Sequence, residues 1–196
     1  VIAGWKVAEG FPASDWNGEV ADGNAAVLAA LSDGVSALVL RVGGSGVAVA
    51  DLDRLLEGVY LELAPVLIDA GEDFRGAAES VLALVAGADD TKRAAMSIDL
   101  GADPLTAPLS DRGAPPVRDV VAVASESAGK PGVRVITVDG PAFHNRGASA
   151  AWELAGVLGA AVQYVRELVD GGLEVPDALR QISFRLVADD DQFMTI

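Results

Sequence analysis

Short runs of β-branched and aliphatic residues alternate along this chain with longer Ala- and Leu-rich stretches, and that alternation predicts its elements. Trp5–Phe11 reads as a strand; after the polar residues 14–22, a helix runs from about Asn24 to Leu31 and stops at Asp33-Gly34. Ala37–Val42 is a nearly continuous apolar strand, and leucines 52, 55 and 56 place a helix over Asp51–Leu56. Ala64–Asp69 and Ala95–Leu100 are the third and fourth strands, with a helix over Asp73–Ala86 between them. Pro116–Ser127 is helical, with its proline near the first turn, and Val133–Asp139 is the fifth strand. A long helix over Ser149–Val169 and a short one over Pro176–Leu179 lead to a sixth strand, Gln181–Val187.

Continuous Val/Ile/Leu strands that alternate with helices imply a parallel sheet covered by helices, an α/β fold of repeated βα units. No internal repeat is visible, and the one linker candidate, Leu105–Pro116, lies inside the alternation, so residues 1–196 read as a single domain. The chain opens at Val1 without a methionine, and an apolar helical pattern has just begun at Asp191–Ile196, so the expectation is a piece of a longer protein.

Composition narrows the chemistry. There are 14 basic and 29 acidic side chains, for a formal charge of −15, which speaks against nucleic acid and against an anionic lipid surface. No apolar run reaches the ~18 residues of a membrane helix, and the expected location is cytoplasmic. With no cysteine and one histidine, His144, thiolate chemistry and a multi-histidine zinc site are excluded.

Several strands end in a polar residue: Arg41, Asp69, Asp99, Asp139 and Arg185. In parallel α/β folds these ends gather at one mouth. Asp99 and Asp139 are candidates for paired acid/base work, although aspartates at βα junctions also cap loops and helix starts. Arg41 and Arg185 suit either a phosphate or carboxylate ligand, or neutralisation of those aspartates. Gly43-Gly44-Ser45-Gly46 follows a strand but lacks the third glycine of a dinucleotide fingerprint, and reads as a turn. His144, the one imidazole in the chain, directly follows the fifth strand, where barrel enzymes keep catalytic groups.

The segment Ile136-Thr137-Val138-Asp139-Gly140-Pro141-Ala142-Phe143-His144-Asn145-Arg146-Gly147-Ala148-Ser149 resembles the strand-end histidine motif of the methylmalonyl-CoA mutase family, whose catalytic chains carry Ser-Gly-Tyr-His-Met-Gln-Glu-Ala-Gly-Ala there. Gln181–Leu186 with Asp191–Ile196, Gly34–Val42 and Leu56–Val66 are similar to further parts of that family, and in detail to the small subunits of its bacterial heterodimers. The resemblance implies a (β/α)8 TIM-type barrel that threads coenzyme A, of which about six of eight βα units are present. It implies a large-subunit partner and adenosylcobalamin in the holoenzyme, used to interconvert methylmalonyl-CoA and succinyl-CoA. The cobalamin signature Asp-x-His-x-x-Gly is absent, because Ala142 stands two residues before His144. The cofactor is therefore not expected on this chain.

The resemblance makes His144 the family-matched catalytic candidate and Ser183, Arg41 and Arg185 candidates for substrate contact. The departures point away from catalysis. Phe143 replaces the tyrosine beside the histidine, two residues are missing before Gly147-Ala148, and Gln181 replaces an arginine near coenzyme A. Ser97–Asp103 carries acid where catalytic chains carry amide and lysine side chains, a poor surround for phosphates. The expectation is a non-catalytic small subunit that supports its partner, with open strand edges at Trp5–Phe11 and Gln181–Val187 that another chain or local rearrangement covers. The alternatives are an independent barrel lyase or isomerase using His144 with Asp99 or Asp139, and a coenzyme A-binding module.

Overall fold

The structure, a computed structural model, describes residues 6–13, 16, 18–44, 46–110 and 112–188. Its strands are β1 (Ala8–Phe11), β2 (Ala37–Arg41), β3 (Val66–Asp69), β4 (Ile98–Ala102), β5 (Val133–Asp139) and β6 (Ile182–Arg185). They form one parallel sheet in the order β1-β2-β3-β4-β5-β6, an α/β fold consistent with an incomplete barrel. Among the described residues β1 pairs with β2 and β6 with β5, which leaves each with one outer edge.

The helices are α1 (Val20–Ser32), α2 (Leu52–Leu55), α3 (Phe74–Gly87), α4 (Asp90–Ala95), α5 (Val117–Ser127), α6 (Pro141–His144), α7 (Ala150–Asp170) and α8 (Val175–Arg180). The chain divides into two compact units. The first runs up to Gly101 and includes Lys130–Val133; the second takes Ala102–Gly129 and the chain from Arg134 onward.

In the first unit burial alternates along the strands, with Leu38 and Leu40 of β2 and Val66 and Ile68 of β3 on the buried face. Register sets Leu40 beside Ile68 and Val66 beside Ile98, all buried. On α3, Phe74, Ala77, Ala78, Val81 and Val85 are buried, a single stripe at helical spacing. Burying side chains of this size stabilises by about 1.5–3 kcal/mol each.

In the second unit α7 buries Glu153, Val157, Ala161, Tyr164 and Leu168 on one face. It also leaves Trp152, Leu154, Leu158 and Val162 exposed, with Trp152 at 74%. No helix among the described residues is long and apolar enough to cross a membrane.

Two helices escape the apolar pattern. At α4 the Asp89 side chain accepts the Lys92 N–H at 2.9 Å, so a polar cap rather than an apolar stripe marks the turn. At α6, Pro141 occupies the first turn, where its missing N–H costs nothing. Helix α1 starts four residues before the expected Asn24 because Gly23 is buried against Leu55 instead of breaking the helix. Strand β6 ends at Arg185, two residues short of Val187. The expected features at Trp5 and Asp191–Ile196 lie outside the described residues.

Candidate functional site

In the second unit the C-terminal ends of β5 and β6 lie side by side, with Thr137 opposite Ser183 and Asp139 opposite Arg185. Period-two alternation sets Thr137 and Asp139 on one face of β5, and register aims Ser183 and Arg185 at them. Ser183 donates to the Ile136 carbonyl at 3.2 Å, so the 2.9 Å bond between Thr137 and Ser183 takes its proton from Thr137. Arg185 grips Asp139 Oδ1 through Nε at 2.7 Å and Nη2 at 2.6 Å. Arg112 Nη2 reaches Oδ2 at 3.1 Å. Asp139 is 3% exposed, so its charge is balanced by two guanidinium groups instead of by water.

Behind it sits Asp103, also buried, just past the end of β4. Its carboxylate accepts the Asp139 N–H at 2.9 Å, the Thr106 N–H at 3.1 Å, the Thr106 hydroxyl, and the Tyr164 hydroxyl at 2.5 Å. Tyr164 in turn accepts the Leu105 N–H at 2.8 Å. Burial first, then the Asp103 charge and the hydrogen bond to it, push the Tyr164 hydroxyl far above the ordinary phenol range. Tyr164 therefore remains a donor, tying α7 to the end of β4.

His144 ends α6, and its Nδ1 stands 3.6 Å from Oε2 of Glu153 on α7. Glu153 is 4% exposed, and its Oε1 accepts the Val187 N–H at 2.9 Å. Gly140 lies between them. A Cβ there would come within 2.4 Å of Glu153 Oε1 and 2.6 Å of the Arg185 carbonyl, so only glycine fits. Nothing in the periodicity singles out Glu153 as a partner; the available signal is that it is the one acidic residue on the buried face of α7. Arg112 and Tyr164 are likewise absent from any motif.

Of the candidates, the structure brings Asp139 and Arg185 together, and sets Ser183 beside Thr137 one pair earlier on the same two strands. The carboxylate near His144 is Glu153, whereas Asp139 is held by arginines. Asp99 is half-buried on β4 in the first unit. Arg41, also in the first unit, is exposed and donates to the Pro12 carbonyl at 2.7 Å; of the two arginines, Arg185 alone is seen neutralising an aspartate. The glycine-rich turn after β2 closes on itself: Gly43 N–H meets the Val47 carbonyl at 2.8 Å, and Gly46 N–H meets the Gly43 carbonyl at 2.6 Å. Those donors are engaged within the turn, as a loop former requires and a phosphate cradle does not. Gln181 is buried with its side-chain oxygen unpaired. Among the described residues no group of three His, Asp or Glu side chains could hold a metal ion.

The family model for methylmalonyl-CoA mutase matches residues 31–196. The chain belongs to the methylmalonyl-CoA mutase family. It is 66% identical over 196 residues to a protein of Mycobacterium tuberculosis (strain H37Rv) named as a probable methylmalonyl-CoA mutase small subunit, covering 100% of this chain and 31% of that one. It is 41% identical over 198 residues to the methylmalonyl-CoA mutase small subunit of Streptomyces virginiae, covering 98% and 31%. For the small subunit of Propionibacterium freudenreichii subsp. shermanii the identity is 35% over 173 residues, covering 87% and 27%. The chain thus spans about a third of the length of these mutase relatives or less.

Proposed function

We propose that this chain is part of the N-terminal barrel domain of a methylmalonyl-CoA mutase small subunit, and that it supports a catalytic large subunit in the cytoplasm without performing chemistry itself. The observation that carries this reading is the state of its strand-end polar groups. Asp139, Ser183, Arg185 and His144 all face partners from their own unit, so the acid, base and cations that a substrate would need are directed at one another. Glycine geometry supports the same conclusion. Because only glycine fits at 140, the family motif is better anchored there and at Gly147-Ala148, which needs no gap and replaces the match on His144 that left two residues missing. Pro141 then stands opposite the family's tyrosine and Ala142 opposite its histidine, two positions before His144. In this reading His144 is a structural partner of Glu153.

Membership of the family implies adenosylcobalamin in the holoenzyme, where it would supply the radical chemistry of isomerisation. The residues described here do not fit that group. The sole histidine has its Nδ1 turned to Glu153, and no aspartate precedes it at the spacing of the cobalamin signature.

The supporting role rests on the exposed apolar flank of α7, where Leu154, Leu158 and Val162, four residues apart, offer a second apolar face that a partner chain can cover. Self-association through the outer edges of β1 and β6 is the competing use of open surface. The test is coexpression of the whole small subunit with its large subunit. We expect His144→Ala to leave mutase activity within about twofold and Leu158→Glu to weaken copurification. Loss of turnover by about a hundredfold in His144→Ala, with assembly intact, would overturn the non-catalytic reading.

A further inference from the structure

We propose that Arg112 and Arg185 form a carboxylate-binding site that the chain occupies with its own Asp139. The two guanidinium groups take different oxygens of one carboxylate: Arg185 holds Oδ1 at 2.6 and 2.7 Å, and Arg112 holds Oδ2 at 3.1 Å. This is the arrangement in which two arginines bridge a bound organic acid. The three residues are far apart in sequence, separated by 27 positions on one side and 46 on the other, so no local capping preference accounts for their meeting.

The site is reachable and its frame does not depend on the Asp139 side chain. The arginine side chains are 31% and 39% exposed while the aspartate between them is 4% exposed, so water reaches the cations from outside. The Asp139 backbone is held separately, by pairing with β6 and by its N–H bond to Asp103. Two further acids of this unit, Asp103 and Glu153, are committed to other partners. Asp103 accepts from Thr106, Tyr164 and the Asp139 N–H, and Glu153 faces His144 and the Val187 N–H. Taking away the Asp139 carboxylate leaves Arg185 Nε and Nη2 and Arg112 Nη2 around a space shaped for a planar, two-oxygen anion. A carboxylate carried on the strand itself acts at an effective concentration that a free acid in the millimolar range does not match, so the unsubstituted chain keeps organic acids out. This goes beyond the supporting role proposed above and stands whether or not that role holds.

The experiment is chemical rescue. Asp139→Ala is titrated with sodium formate at constant ionic strength, by calorimetry and by thermal midpoint, beside the unsubstituted protein and the double variant D139A/R185A. We expect saturable formate binding in D139A, at least about tenfold tighter than in the unsubstituted chain, and its loss in the double variant. Inorganic phosphate forms the second arm; phosphate binding tighter than formate would overturn the carboxylate assignment in favour of a tetrahedral oxyanion. Asp139→Ser, which keeps a small polar group on the strand, is measured in the same way. A folded variant that responds to formate no more than the parent, or failure of both variants to fold at any formate concentration, overturns the site.

Discussion

The strand ends of the two units treat charge in opposite ways. In the first, Arg41 at the end of β2 is exposed and its guanidinium meets a backbone carbonyl, Pro12. In the second, Arg185 at the end of β6 meets a carboxylate that is almost wholly buried, with Arg112 on its other oxygen and Asp103 behind it. An arginine at a solvated edge has water as an alternative partner, so its protein partner contributes little. A buried acid has no such alternative, and each donor aimed at it becomes structurally necessary. The comparison teaches that the same residue type at the same position of a βα repeat is ornamental or structural according to what lies beneath it.

The sharpest way to break the contrast is Asp103→Ala, which strands the Tyr164 hydroxyl, both Thr106 donors and the Asp139 N–H together. We expect a loss of more than about 3 kcal/mol in urea-unfolding free energy, because several buried donors lose a charged acceptor at once. Arg185→Ala comes next, at about 2 kcal/mol. That is below the 3–5 kcal/mol of a fully buried pair, since Arg112 still faces the carboxylate and Arg185 is partly exposed.

Tyr164→Phe should cost about 1–2 kcal/mol near neutral pH, by removing one donor to Asp103 and one acceptor for the Leu105 N–H. It also has a pH signature. The Tyr164 hydroxyl titrates higher in the folded chain than its ordinary value of 10.0, so its contribution is complete below pH 10.0 and is lost as the unfolded chain ionises above it. The stability difference between parent and Tyr164→Phe should therefore shrink above that pH, by up to about 1.4 kcal/mol per pH unit. A difference that stays constant through alkaline pH would show that the hydroxyl titrates alike in the folded and unfolded chain, against its buried place beside Asp103. The smallest effect is expected for Arg41→Ala, within about 0.5 kcal/mol, and an effect as large as that of Arg185→Ala would erase the contrast between the units.

Much of the fold is legible in the chain. Strands β2, β3 and β5 lie within two residues of the ends expected from their apolar runs, and β4 starts three residues later than expected, at Ile98; a parallel strand in the interior of an α/β fold reads as a continuous apolar run. The candidate site is legible in part. Asp139, Arg185, Ser183 and His144 stand out because strand ends are where α/β folds gather polar groups. Arg112 sits in a proline-rich stretch with no periodicity, and Glu153 and Tyr164 lie on the buried face of a helix where an apolar residue is the ordinary occupant. Such positions acquire meaning only from what they face.

The amino-acid sequence by itself determined the order and type of the elements, the parallel sheet and the resemblance to a mutase family. These follow from the spacing of apolar residues and from short motifs, both properties of neighbouring positions. Tertiary structure decided which acid stands against each of these groups: Asp139 holds Arg185 across 46 residues and Arg112 across 27, and Glu153 rather than Asp139 stands against His144. The physical reason is that a buried polar group takes its partner from whatever β-register and helix packing bring close to it, and that proximity is set by the folded chain as a whole.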